Sequence, residues 1–235
     1  MIDAIIILRH SLVNGWKHAR AMVAANLLWL AFSLTIVMLP AAVAGLYVTT
    51  NRIAYGQRVR FDDFRAGIRW YGWLGVRWMA VNAVVLTLLF GGLSSSHVGK
   101  HLPFVVTGAL FVLGVLWIGL QFYVWPLLIE QPQKRLSAAL LNALLLATAA
   151  PGYTLVILTV AGFLLLLSIM TVLPLGLCAF SLLALLGNEA VIDRLKAYGK
   201  TPDLSNVLVY RHSSSPQKTP SENVSRTAHK GRTVH

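Results

Sequence analysis

The chain is short of charge, of acid and of cysteine. Of its 235 residues only 12% are charged and 57% are hydrophobic, with a mean hydropathy of +0.68. A soluble domain carries roughly a quarter charged residues, so about half of the usual surface-forming material is missing and most of the solvent must be lipid. The eight acidic residues, Asp3, Asp62, Asp63, Glu130, Glu189, Asp193, Asp203 and Glu222, fall at the ends of apolar stretches or outside them. An ion-coupled carrier keeps an ionisable group deep in the bilayer to bind its coupling ion, and this distribution argues against one. Cys178 is the only cysteine, which excludes an intrachain disulfide and a multi-thiolate metal site within one chain. There is no Walker loop, dinucleotide fingerprint or zincin motif, and no nucleophile with a nearby base. The chain therefore reads as a non-enzyme, with no cofactor expected.

What the sequence does have is long apolar runs. Several reach the roughly 18 to 25 residues that span a hydrocarbon core about 30 Å thick. None alternates with the ten-residue period of a barrel strand, so the backbone must be satisfied by helices. The expected fold is an all-α, polytopic transmembrane bundle over residues 1–199, with interfacial amphipathic helices, followed by a disordered tail. From residue 200 the composition turns to Ser, Thr, Pro, Gln, Lys and Arg, which cannot bury enough apolar surface to offset chain entropy. Asn223-Val224-Ser225 matches a glycosylation sequon that only a lumenal tail could use.

A net charge of +12 invites a nucleic-acid partner, since clustered Lys and Arg neutralise phosphates. Here the cations sit between apolar spans, as the positive-inside rule requires. They are read as orientation charge, with the lipid bilayer as partner and no nucleic acid.

The run "NLLWLAFSLTIVMLPAAVAGLYV", residues 26–48, is the ambiguous one. Residues 21–39 form an apolar helix longer than a typical signal-peptide core, so retention is expected although Ala42-Val43-Ala44 resembles a cleavage site. Pro40 removes a helical hydrogen bond and clashes with the preceding turn, predicting a break at Leu39 and a second limb over 41–57. That limb is short, about 26 Å, and is either a pass or re-entrant. A reversal there gives six passes with both termini inside, where 19 of the 20 Lys and Arg then lie, leaving Lys100 outside. A single crossing gives five passes, with 16 inside and 4 outside. The charge rule favours six.

Further along, "RFDDFRAGIRWYGW" places Phe61, Phe64, Ile68 and Tyr71 on one helical face and Asp62, Arg65 and Arg69 on another. With Trp70 and Trp73 it reads as an interfacial helix with aromatics at head-group depth, running into a span over 74–93. A span over 102–128 follows. Pro151-Gly152 divides the apolar stretch 136–173 into a surface elbow and a span, and Pro174 repeats the turn of Pro40. His97 and His101 share a loop and lack a third ligand.

In the six-pass arrangement Asn26, Asn82 and Gln121 lie about 8 to 12 Å from the cytoplasmic ends of their spans. Asn142 and Arg77 enter from the same side. An amide in lipid needs a partner, and bonds between helices are the usual solution. The alternative is a cytoplasm-facing polar cavity for a neutral solute.

The order "NLLW" at 26–29, Leu39-Pro40, a small-residue helix ending "GLY" at 45–47, then an aromatic, Arg-rich amphipathic segment resembles the YesL-like family of small bacterial membrane proteins over most of residues 1–195. The resemblance implies a bacterial plasma-membrane protein linked to carbohydrate uptake, with transporter subunits as partners, and carries over no catalytic residues. The long basic tail departs from it. Two functions follow: an accessory or regulatory component of solute import, or a permease or channel for a neutral solute.

Overall fold

The computed structural model describes residues 2–95, 104–171 and 175–200, and every regular element there is helical. The elements are α1 (Ile2–Lys17), α2 (Ala19–Ser33), α3 (Leu39–Ala54), α4 (Phe61–Ser95), α5 (Phe104–Glu130), α6 (Leu136–Ala149), α7 (Pro151–Thr171) and α8 (Phe180–Ala197). A 3₁₀ turn, Ile36–Met38, precedes α3, and a π turn, Leu175–Ala179, precedes α8. The expected turn at Pro174, the loop histidines and the tail beyond residue 200 lie outside the described residues.

Prolines set two of the boundaries. Ala150, before Pro151, leaves the helical region at φ −138°, ψ 68°, as the steric clash with a following proline demands, and α7 starts at Pro151. Pro40 acts differently from expectation. The break falls not at Leu39 but at Leu34 and Thr35, and Pro40 lies in the first turn of α3, where its missing N–H leaves no bond unmade. A helix running through Pro40 would drive the ring into the carbonyl of residue 36, so the interruption must come upstream. Thr35 marks the place, with extended backbone at φ −90°, ψ 102°. Its hydroxyl donates to Phe32 O at 2.7 Å and its N–H reaches the same carbonyl at 3.3 Å. Two carbonyls that α2 would otherwise expose are thereby satisfied, since Leu34 N–H also returns to Leu30 O.

Six helices then alternate in direction. Met22 of α2 packs with Ile53 of α3, while Ala25 packs with Leu46, so the pair is an antiparallel hairpin. Helix α3 is the centre of the molecule and is buried along most of its length. It meets α4 through small residues: a Cβ on Gly67 would lie 2.8 Å from Gly45 Cα, and one on Gly75 only 2.4 Å from Pro40 O. This close backbone approach is how helices associate in lipid, where no hydrophobic force drives them together. Helix α4 meets α5 at Gly92 and Leu110 and again at Asn82 and Gln121, and α5 meets α7 at Gly119 and Leu158 and again at Tyr123 and Thr154. Both pairs are antiparallel. Helix α8 runs back beside α3, with Ala184 near Leu46 and Asn188 near Asn51.

The segment expected to be an interfacial helix is the first half of α4, and it runs into the following span as expected, without a break over 35 residues, about 52 Å. Its apolar face does not lie in lipid. Phe64, Gly67 and Tyr71 are buried against the protein, and Phe61 is exposed with Arg65, Arg69, Trp70 and Trp73. Helix α6 starts beside the end of α5, and Thr154, just beyond it, meets Tyr123 about 10 Å before that end. It is an elbow on one side, as expected. Among the described residues, four helical segments, 36–54, 61–94, 104–130 and 151–170, are long and apolar enough to cross a membrane. The outer faces of α4, α5 and α7 present a belt of exposed apolar side chains, among them Leu88, Phe111 and Leu166.

Candidate functional site

The amides of α4 and α5 meet. Asn82 Oδ1 accepts from Gln121 Nε2 at 2.6 Å and from Trp117 Nε1 at 3.1 Å, while Asn82 Nδ2 donates to Trp78 O at 2.9 Å. The rings of Trp78 and Trp117 lie 5.6 Å apart. Asn82 is thus held on both of its polar atoms. Gln121 spends one N–H on Asn82, and its Oε1 has no protein partner among the described residues. Both amides border an open cavity of about 280 Å³ whose walls include Pro40, Tyr47, Trp78 and Trp125.

The other expected members of this cluster lie elsewhere. Asn26 is fully buried and its Oδ1 accepts from the backbone N–H of Ser181 at 3.1 Å, anchoring the start of α8 to α2. Arg77 is exposed with its guanidinium 5.6 Å from the Trp73 ring. Asn142 is half-buried on α6 and hydrogen-bonds to none of the others. Five groups at one depth reduce to one pair, because depth fixes the position along a helix and not the direction in which it points.

Sequence reasoning missed a second polar centre, where α3, α5 and α8 converge. Asn51 Nδ2 donates to Glu130 Oε1 at 2.8 Å, and the Tyr55 hydroxyl donates to Glu130 Oε2 at 2.9 Å. Asn188 Nδ2 donates to Thr50 Oγ1 at 3.0 Å and to Tyr47 O at 3.2 Å. Nearby, Glu189 of α8 is gripped by α1, through the Ser11 hydroxyl, Asn14 Nδ2 at 2.8 Å and His10 Nδ1 at 3.2 Å. Arg52 pairs with Asp63 at 2.6 Å, both nearly buried, and Arg60 N–H donates to the other Asp63 oxygen at 2.8 Å. The contacts of Glu130, Asn188 and Glu189 join helices distant in sequence, whereas Arg52 and Asp63 tie the consecutive helices α3 and α4. The signal was present in the acids themselves: a carboxylate at a helix end, such as Glu130, is buried when other helices close over that end.

Beside this centre, in the loop after α5, Lys134 Nζ donates to Ile129 O at 2.6 Å and lies 5.3 Å from the Tyr71 ring. Burial disfavours its charged form and lowers its pKa to about 8, against the opposing pull of Glu130. The groups at the centre are bonded to one another, and among the described residues no three His, Cys, Asp or Glu side chains gather as metal ligands. What they do chemically is fix helix crossings; what the cavity can do is accept a hydrogen bond through Gln121 between aromatic walls. No protein-family model, curated protein or solved structure matches this chain.

Proposed function

We propose that the protein is a non-enzymatic integral membrane protein, an accessory or regulatory component of solute uptake that acts by docking to transporter subunits. One observation carries the preference for this over a permease. The only members of the expected solute-lining set that meet, Asn82 and Gln121, bond to each other, so the pair serves first as glue between α4 and α5. A route for a neutral solute would need those amides free. The resemblance to the YesL-like family adds the bacterial plasma membrane and carbohydrate as the solute class. The positive-inside rule adds cytoplasmic termini.

The α2–α3 hairpin is read as re-entrant. Its turn lies beside Gly75, and α4 runs on for 20 residues from there, about 30 Å. The hairpin tip, Leu34, Ile36 and Val37, then faces lipid inside the bilayer.

Mild detergent extraction from cells that express the importer subunits tests the docking. The protein is expected to co-purify with them; isolation alone sinks the reading. The permease alternative is favoured only by the cavity beside Gln121. It expects sugar uptake by reconstituted vesicles that falls when Asn82 and Gln121 become Leu, and uptake no faster than in empty vesicles removes it.

A further inference from the structure

The side of α4 that faces away from α3 is polar in its first half and borders a second recess. Asp62, Arg65, Arg69 and Trp70 of α4 form with Phe32 of α2 and Ile68 a groove of about 470 Å³. Its cations are available. Arg65 makes no ion pair with any described residue, and Arg69 has its guanidinium 5.9 Å from the Trp70 ring. The neighbouring acid Asp63 points away from them and is held by Arg52 on the buried side of the helix. Asp62 stays in the groove without an ion pair of its own among the described residues.

The groove is not purely polar. The Phe32 ring lies tilted 6.0 Å from that of Phe64 and stands two residues before the exposed apolar tip that begins at Leu34, which puts the recess beside that tip. Arginines four apart on a helix are neighbours, and their planar forks match phosphate oxygens. An occupant must therefore offer a phosphate to two guanidinium groups and an apolar chain to Phe32 and Ile68.

We propose that this groove binds one anionic phospholipid, with its phosphate between Arg65 and Arg69 and an acyl chain along Phe32 and Ile68. The site rests on the membrane placement of α4 and is independent of any role in solute uptake, so failed co-purification leaves it standing. Each arginine near an anionic head group contributes roughly a fivefold preference, and the pair about 25-fold.

Native mass spectrometry of the full chain, extracted in detergent and mixed with equal amounts of phosphatidylglycerol and phosphatidylcholine, reads this preference directly. The native protein is expected to retain one phosphatidylglycerol selectively. The double variant Arg65→Gln with Arg69→Gln is expected to lose most of the selectivity while melting at the native temperature, since both side chains are exposed. Arg58→Gln with Arg60→Gln is expected to keep it, and Asp62→Asn, which removes a like charge beside the phosphate, to raise it. Millimolar inorganic phosphate is expected not to displace the lipid. Equal retention of both lipids by the native chain, equal loss in the two arginine pairs, or displacement by phosphate overturns the site. Should the double variant not fold, an unchanged selectivity in Asp62→Asn overturns it as well.

Discussion

Glycine is where single atoms decide this fold. A Cβ at Gly67 or Gly75 would collide with the backbone of α3, at Gly45 Cα and Pro40 O, and a backbone cannot rotate aside as a side chain can. Gly67→Leu and Gly75→Val are expected to lower stability by about 1 to 3 kcal/mol, the usual range for overpacking. Gly91→Ala and Gly108→Ala, where nothing lies within 4 Å, are expected to be neutral or slightly stabilising. Thermal unfolding in detergent separates the two classes, and equal behaviour would mean that α3 and α4 are not in close contact. Lys134 gives a second test at this scale. Its folded pKa is lowered to about 8 from 10.5, so between those values the unfolded chain holds a proton that the folded chain has released, and stability must rise with pH across that window. Lys134→Met is expected to flatten that rise; an unaltered pH profile would show that the ammonium is not desolvated. Neither feature was legible beforehand. Glycine spacing hints at a close crossing but does not name the partner helix, and a loop lysine gives no sign that an aromatic ring and a helix end will cover it.

Helices were legible as elements, because apolar runs of the right length admit no other satisfied backbone, and Pro151 marked its boundary correctly. The failures lie where two causes act on one place. Pro40 forbids a helix passing through it, but the hydroxyl of Thr35, five residues earlier, decides where the chain turns. Likewise Phe64 and Tyr71 have the spacing of a membrane-surface face, and the same spacing suits a face buried inside the protein, which is where they go, Phe64 against Gly45 of α3 and Tyr71 beneath Lys134. The short hairpin makes the resulting difference measurable. In a Cys178→Ala background, Ile36→Cys is expected to resist a membrane-impermeant maleimide added to intact cells or to inverted vesicles, since a re-entrant tip reaches neither surface. Trp16→Cys, 85% exposed on α1, is expected to label from one side only. Labelling of Ile36→Cys from the side opposite Trp16→Cys would instead establish α2 as a full crossing.

Over the whole molecule, the two ends of the bundle are not equivalent. Glu189, midway along α8, is bound by Ser11, Asn14 and His10 of α1 while Gly15 lies at Leu182, so α1 and α8 run antiparallel, and α2, α3, α4, α5, α7 and α8 alternate in direction between them. The start of α1 and the end of α8 therefore lie at one end. The buried pair Arg52 and Asp63 and the network around Glu130 lie at that end too, where the cations between spans collect. Charge counting, which depends on how many cations each loop holds and not on how the helices touch, predicts that this end faces the cytoplasm. The same counting could not find the amide geometry, which depends on helix rotation. Two reporters test both parts at once. Alkaline phosphatase fused at either terminus is expected to be inactive and a cytoplasm-dependent fluorescent protein active at both, because 19 of 20 basic residues then face inward. Opposite results at the two termini would contradict the contact between α1 and α8. Two externally active phosphatase fusions would spare the packing and overturn only the orientation, since a bundle turned as a rigid body keeps every one of its internal hydrogen bonds.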